Sequence, residues 1–265
     1  MKRLINYLVL VGCMVILAPG LLSAQELAVE EIVQKANLAS YYAGNDGKSN
    51  VKMTITDSQG RVRNREFKIL RLTTEEGKEQ KFYVYFNKPS DVSKMVFMVW
   101  KHSGPDDDRW LYLPALDLVR RIAAGDKRSS FVGSHFLYED VSGRNIDVDT
   151  HELIDSSGDY YKIKNIPKSS KGVEFAYYIV WVDKDNFMPM KAEYYNEQGK
   201  LIRSIEALEV ADVEGYPTVV KSVAKDMERS GETMMEFSDV EYNVGLTDDI
   251  FTERYLRRAP VKWVR

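Results

Sequence analysis

The chain has 265 residues, of which 44% are hydrophobic and 29% charged, so it is long and apolar enough to bury a sizeable core. Its 37 basic and 40 acidic residues give a net charge of −3 without a long block of either sign, which excludes a non-specific nucleic-acid-binding protein. The single cysteine, Cys13, excludes a disulfide framework within the chain.

The N-terminus has the order of a secretory signal. Lys2 and Arg3 precede an uncharged run over residues 4–24, which ends in Leu22-Ser23-Ala24 before the polar Gln25. We predict a signal peptide over 1–24 and cleavage before Gln25. Taking Lys2 and Arg3 from the 37 basic residues leaves 35 against 40 acidic ones in the exported chain.

Two other interpretations of this segment stay open. The uncharged run is long enough to remain as a membrane anchor. Leu10-Val11-Gly12-Cys13 is similar to a bacterial lipoprotein box, which would acylate Cys13. Cleavage before Cys13 would leave the apolar residues 14–17 on the mature N-terminus, so we favour a simple signal peptide. No linker rich in Pro, Gly or Ser divides residues 25–265, which favours one domain.

The first element of the exported chain is a helix. Residues 26–42 place Leu27, Ile32, Val33 and Ala36 at nearly helical spacing among charged residues, which predicts one amphipathic helix.

Short runs of strand-forming residues separated by turn signals follow the helix. Turns such as Ser156-Ser-Gly-Asp159 and Asn196-Glu-Gln-Gly199 are short enough for hairpins, which indicates a large antiparallel sheet. We predict strands over residues 51–56, 61–72, 81–86, 95–100, 147–154, 160–166, 173–182, 188–196, 200–210, 218–227 and 233–242.

Three of these runs are apolar on both faces: 82–86, 95–100 and 175–181. Such strands need cover on both sides. The predicted helices are too few to cover both faces of so many strands. The sheet therefore either curls around a core or lines an apolar cavity.

Chemical motifs are missing from the sequence. His102, His135 and His151 do not have the spacing of common metal sites, and no nucleotide-binding loop or nucleophile motif occurs. We predict a non-enzymatic protein without cofactor or metal. Arg120 and Arg121 could bind an anionic head group at the rim of a pocket or form a solvated basic loop.

A family resemblance rests on the middle of the chain. Trp110-Leu-Tyr-Leu-Pro-Ala115, Val119-Arg-Arg-Ile122, Ser130-Phe-Val-Gly-Ser134 and Phe136-Leu-Tyr-Glu-Asp140 together resemble the signature of the outer-membrane lipoprotein-sorting-like (LolA-like) proteins. Trp181-Val-Asp183, Met188-Pro-Met-Lys191 and Gly199 are similar to the hairpin of that superfamily. The chain departs from the signature at Lys94, where Gly is common, and at His135, where Asp is usual.

The resemblance implies a mainly β protein with a few helices (α+β). Its large, strongly curved antiparallel sheet would form an incomplete barrel plugged by helices around an apolar cavity. It further implies a monomeric periplasmic carrier or chaperone that binds lipoprotein acyl chains or other lipids for transfer toward the outer membrane. A membrane-protein donor or acceptor, such as an exporter of the RND type, would be its partner. The alternative is an envelope-stress sensor or regulatory binding domain on the same fold.

The strands that are apolar on both faces and the signature supply the candidate lipid-binding residues, although a shift of one residue in register would exchange the faces. These candidates are Phe82, Val84, Phe86, Phe97, Val99, Trp110, Tyr112, Phe175, Tyr177, Ile179 and Trp181, with Arg120 and Arg121 for a head group or partner.

Overall fold

The computed structural model of the protein describes residues 27–104 and 106–264. The predicted signal peptide over 1–24, its cleavage site and Cys13 lie outside the described residues. Among the described residues, no helix has the length and apolar character needed to cross a membrane.

Helix α1 spans Val29–Tyr41, within the predicted range. Glu30 and Glu31 lie in its first turn, where they interact favourably with the helix dipole. Ile32, Val33 and Ala36 form its buried face, because residues three and four apart lie on one side of a helix. This face packs against the β-sheet, which fixes α1 above one end of it.

Thirteen strands form a single antiparallel sheet in the described part of the chain. They are β1 (Asp46–Asp57), β2 (Val62–Glu75), β3 (Glu79–Lys88), β4 (Val96–Lys101), β5 (Asp108–Leu113), β6 (Leu118–Arg121), β7 (Asp149–Asp155), β8 (Tyr160–Pro167), β9 (Tyr177–Asp183), β10 (Pro189–Tyr195), β11 (Leu201–Val213), β12 (Tyr216–Asp226) and β13 (Gly231–Tyr242).

The sheet order is β6-β5-β4-β3-β2-β1-β13-β12-β11-β10-β9-β8-β7. Every neighbouring pair is consecutive in sequence except β1 and β13, which join the two halves of the sheet through a long register that includes Met53 opposite Met235. Because β6 and β7 are its two edges, the curled sheet stays open. The predicted mainly β, incomplete barrel is confirmed.

The inner face of β2–β5 is covered by residues 122–142, which we call the plug segment and which end in the short helix α2 (Tyr138–Ser142). The ring of Phe131 is fully buried, with its centroid 5.8 Å from that of Phe86 and 5.5 Å from that of Phe97. Aromatic rings at such distances bury large areas and add a favourable edge-to-face or tilted contact. The side chains of the plug segment therefore fill the space over the inner face of β2–β5.

The outer face of the same strands is covered by residues 244–264, which include α3 (Arg254–Arg257) and α4 (Val261–Val264). The Tyr83 hydroxyl donates a hydrogen bond to the carbonyl of Tyr255 (2.7 Å), and the indole N–H of Trp100 donates to that of Phe251 (2.7 Å). The apolar runs 82–86 and 95–100 are thus covered twice, as their composition requires.

The third apolar run has a different environment. Strand β9 begins at Tyr177, so Phe175 precedes it in the connection from β8. On the outer face, the ammonium groups of Lys164 and Lys191 lie 4.8 Å and 5.1 Å from the ring centroids of Tyr177 and Trp181. Side chains of neighbouring strands, rather than another layer, screen these rings.

Lys94 has a φ of 67°, in the left-handed region that side chains rarely adopt. This conformation lets its backbone N–H donate to the carbonyl of Phe86 (2.8 Å) in the β3–β4 connection. The requirement explains why the family signature commonly has glycine at this position.

Candidate functional site

A cavity of about 470 Å³ lies between α1, the plug segment and the inner face of the sheet. Such a volume falls within the range of small-molecule pockets. Strands β8–β13 and α1 contribute most of its apolar lining: Val33, Ala36, Ile163, Val180, Val182, Met190, Ala192, Ile205, Ala207, Val219, Met235, Phe237 and Val240.

Side-chain size explains why space remains here. Ala192 of β10 and Ala207 of β11 face inward, and each leaves unfilled the volume that a large side chain would occupy. Met188, Met190 and Met235 also line the cavity, and their unbranched, polarisable side chains adapt to apolar ligands of different shape.

One side of the cavity is polar. We call it the polar wall, and it consists of Arg128, Glu139, Asp140, Arg144, Tyr178 and Tyr194.

Glu139 is the centre of this wall, with only 4% of its side chain exposed. Its carboxylate accepts from Arg128 (2.7 Å) and Arg144 (3.4 Å). Burial raises the pKa of Glu139, but the two guanidinium groups outweigh burial and hold the pKa below its ordinary value. Arg128 also forms a two-pronged ion pair with Glu174, and Arg144 forms one with Asp149.

Asp140 forms the second ion pair of the wall. Its carboxylate accepts the backbone N–H of Leu137 (2.6 Å) at the start of α2 and is paired with Arg203 of β11. The first turn of α2 is therefore tied to the opposite strand, which holds the plug segment over the cavity.

Two tyrosines of the cavity present free hydroxyl groups. Tyr194 is only 7% exposed, and its ring lies beneath the guanidinium groups of Arg128 (5.4 Å) and Arg203 (5.1 Å). Tyr194 and Tyr41 line the cavity, and neither hydroxyl makes a hydrogen bond to a described residue. Burial raises the pKa of both phenols, so each remains a proton donor. The Tyr178 hydroxyl, in contrast, donates to Asp149 (2.8 Å).

The end of α1 is held against the wall at Gly143. Gly143 directly follows α2 and has a φ of 75°, and a β-carbon at this position would lie 2.5 Å from the Tyr41 ring. Only glycine permits both this backbone conformation and this contact. Lys101 supports the junction, since its ammonium donates to the carbonyl of Ser142 (2.7 Å).

Of the candidates taken from 82–100, Phe82 lies in the cavity lining. Val84, Phe86, Phe97 and Val99 point to the same face but are buried in the core beneath the plug segment. The plug segment occupies the space that the sequence interpretation assigned to lipid.

The signature aromatics Trp110 and Tyr112 lie on the outer face, against the C-terminal segment 244–264. Arg121 has 68% of its side chain exposed, pairs with Asp108 and lies over the Trp110 ring. Arg120, 61% exposed, lies on the same edge strand near Asp126. The structure thus places both arginines and both aromatics outside the cavity lining.

In β9 the cavity is lined by Tyr178, Val180 and Val182. Tyr177, Ile179 and Trp181 are the alternating set and point to the outer face. Phe175 packs 5.1 Å from the Tyr194 ring, behind the polar wall. The candidates taken from the sequence were thus the outward-facing residues of β9. Val180, Ala192 and Ile205 were not among the candidates, because the amino-acid pattern does not indicate which face of their strands points inward.

The three histidines have structural partners. His151 lines the cavity, but its ring nitrogens contact Asn165 (2.7 Å) and the carbonyl of Ile146 (3.0 Å). His135 contacts Thr233 (2.8 Å), and His102 contacts Asp108 (3.1 Å). Over the described residues, no three His, Cys, Asp or Glu side chains are grouped closely enough to hold a metal ion.

A family model described as "Uncharacterized protein" matches residues 78–258, about two thirds of the chain. The chain belongs to this family. No curated protein matches it by sequence.

Members of the same fold family are found among solved structures. A DUF1329 family protein from Desulfovibrio piger is 28% identical, with a TM-score of 0.78 over 86% of this chain and 97% of that one. An outer membrane lipoprotein-sorting protein domain, described as putative, from Vibrio parahaemolyticus is 27% identical, with a TM-score of 0.77 over the same shares.

A LolA superfamily protein from Nitrosomonas europaea has the same fold at 19% identity, with a TM-score of 0.67 over 86% of this chain and 99% of that one. The resemblance to the lipoprotein-sorting-like proteins is confirmed.

Proposed function

We propose that this protein is a non-enzymatic periplasmic carrier that binds a lipid acyl chain in the cavity between α1, the plug segment and β8–β13. The observation that carries the proposal is the cavity itself: a fixed space of about 470 Å³ with an apolar sheet face on one side. The lipoprotein-sorting name of the Vibrio relative supports a lipid or lipoprotein as cargo.

The physical basis is the transfer of hydrocarbon out of water. Each methylene that enters the cavity gains about 0.8 kcal/mol, so one acyl chain is held in aqueous surroundings without a covalent bond. A single sheet holds the cavity side chains in place before the lipid binds, which keeps the entropic cost of ordering them low. Release requires an acceptor, such as a membrane protein of an export system, that offers the chain a more favourable site.

Native mass spectrometry of the protein isolated from the periplasm tests this function. We expect a fraction of the molecules to carry one lipid, and stripped protein to take up an added monoacylglycerol. A mass without lipid, together with no uptake, would contradict the proposal.

A matched pair of variants ties the bound lipid to the cavity. Ala207→Phe places a ring in the cavity, whereas Glu206→Phe places the same ring on the exposed outer face of β11. We expect Ala207→Phe to lose the lipid and Glu206→Phe to keep it. Equal binding by the two variants would show that the lipid lies elsewhere.

A further inference from the structure

The polar wall carries no unpaired charge. Arg128 is neutralised by Glu139 and Glu174, and Arg144 by Glu139 and Asp149. Lys127, at the edge of this network, lies 3.7 Å from Glu139 and 3.5 Å from Asp106.

Asp140 and Arg203 neutralise one another in the same way. The guanidinium groups that reach the wall are therefore already engaged by carboxylates of the protein.

The remaining cations of the cavity lining are also engaged. Lys48 pairs with Glu241 (3.0 Å), and Lys191, whose ammonium lies on the outer face over the Trp181 ring, pairs with Glu193 (2.6 Å). Arg71, 8% exposed, donates to the hydroxyl of Thr73 (2.8 Å) and to backbone carbonyls at the end of α1.

An anionic head group at the wall would have to displace a carboxylate from its guanidinium partner or lie beside it. Either arrangement leaves one negative charge buried without its full set of partners, which is strongly unfavourable. A cationic head group meets the same difficulty with the arginines. An uncharged oxygen meets no such cost.

Several hydrogen-bond donors in and beside the wall have no partner among the described residues. They include the hydroxyls of Tyr194 and Tyr41, and Nε and Nη1 of Arg203, which lies over the Tyr194 ring outside the cavity lining. Tyr194 and Tyr41 each offer an O–H that has no hydrogen-bond partner among the described residues, and Tyr194 is more than nine-tenths buried. A phenol that lines the cavity can donate to an acceptor on the ligand, and such a hydrogen bond contributes to binding.

We infer that the polar wall recognises an uncharged, oxygen-bearing head, such as a hydroxyl, ester or amide group, through the phenols of Tyr194 and Tyr41. The inference rests on the proposed carrier function and names its ligand class: a neutral lipid, rather than an anionic phospholipid or an ionised fatty acid. The acyl chain then lies along β9–β11 with its polar end against α2.

Displacement of an uncharged naphthylamine probe from stripped protein tests the ligand class. Three ligands share one palmitoyl chain: monopalmitoylglycerol is neutral, and palmitate and lysophosphatidic acid are anionic at a pH where their acidic groups are ionised. We expect the neutral ligand to bind roughly tenfold more tightly than either anion, the ratio that an incompletely paired buried charge produces. Equal or tighter binding of an anion would overturn the inference and leave the carrier function standing. Failure of all three ligands and of the probe to bind would overturn the carrier function as well.

Variants separate head-group recognition from a general effect on the cavity. Tyr194→Phe removes the hydroxyl and keeps the ring, so we expect about fivefold weaker binding of monopalmitoylglycerol, the worth of one hydrogen bond. Binding of the naphthylamine probe, which lacks the head group, stays unchanged. Tyr177→Phe removes a phenol from the outer face of β9 and is the matched control, with no change for either ligand. An unchanged affinity of Tyr194→Phe for monopalmitoylglycerol would contradict the assigned contact.

Discussion

The two halves of the sheet use their inner faces in opposite ways. Over β2–β5, the plug segment brings Phe131, Phe136 and Tyr138 onto the sheet, and large side chains fill the space. Over β8–β12, small residues such as Ala192 and Ala207 face inward, and a cavity remains. We call these the filled half and the open half. One continuous curved sheet thus carries a packed core over one half and a cavity over the other.

The largest expected effect comes from breaking the filled half. Phe97 is fully buried, and its ring lies 5.0 Å from that of Tyr138. Phe97→Ala removes this packing and leaves a void, so we expect the free energy of unfolding to fall by about 4 kcal/mol. Urea denaturation measures the loss. The control is Leu116→Ala at a side chain that is 71% exposed, with a change below about 0.5 kcal/mol.

Phe97→Ala also tests the separation of the two halves. The folded fraction should bind lipid with unchanged affinity, because Phe97 lies in the core and outside the cavity lining. A loss of lipid affinity in the folded fraction would assign Phe97 to the binding site and contradict the comparison.

The next effect concerns the boundary between the halves, where Glu139 joins the plug segment to Arg144. Glu139→Ala leaves two buried guanidinium groups short of a partner, and we expect unfolding to become easier by about 3 kcal/mol. Glu174→Ala is the milder control, since that side chain is 44% exposed and Arg128 retains Glu139; its cost should stay below about 1 kcal/mol. A smaller loss for Glu139→Ala than for Glu174→Ala would show that Glu139 is not the centre of the network.

Low pH should weaken the ion pairs of Glu139 at the boundary between the two halves. Because the folded protein holds the pKa of Glu139 below its ordinary value, the unfolded chain binds the proton more readily. The stabilisation by Glu139 is therefore complete above the unfolded pKa of about 4.3 and is lost as the pH falls through the lower folded pKa. Urea unfolding at several pH values below 5 should show a steeper decline for the wild type than for Glu139→Gln. Parallel curves would exclude this contribution.

The smallest expected effect lies at the edge strand. Arg121 pairs with Asp108 at the surface and lies outside the cavity lining, so Arg121→Ala should change lipid affinity by less than about twofold. Titration with monopalmitoylglycerol measures the affinity. A large loss of lipid affinity would indicate that Arg121 contacts the head group, as the sequence suggested.

Composition and periodicity predicted the large antiparallel sheet and the need to cover its apolar strands twice, whereas the incomplete barrel was predicted only from the family resemblance. Runs apolar on both faces, such as 82–86, led to a sheet that needs two covering layers, and the structure supplies both. The same pattern could not assign the cover to the plug segment instead of a ligand, because Phe131 and a lipid chain offer β3 equivalent apolar contact.

The inward register of β9 could not be read from the sequence either. Residues 177–181 are apolar at every position, and the choice between Val180 and Ile179 depends on strand pairing and on the position of α1. The polar wall is formed by residues distant in sequence, such as Asp140 and Tyr194, which only the fold brings together.

The most direct test of the central claim, that the open half holds the acyl chain, is the lipid affinity of two neighbouring variants on β9. Val180→Asp places a carboxylate in the cavity, whereas Ile179→Asp places it on the outer face. Circular dichroism first establishes that both variants are folded, and titration with monopalmitoylglycerol then measures binding. We predict that Val180→Asp lowers the lipid affinity at least about tenfold, since the acyl chain cannot pack against an ionised group, and that Ile179→Asp leaves the affinity unchanged. The reverse result, or equal affinities, would contradict it.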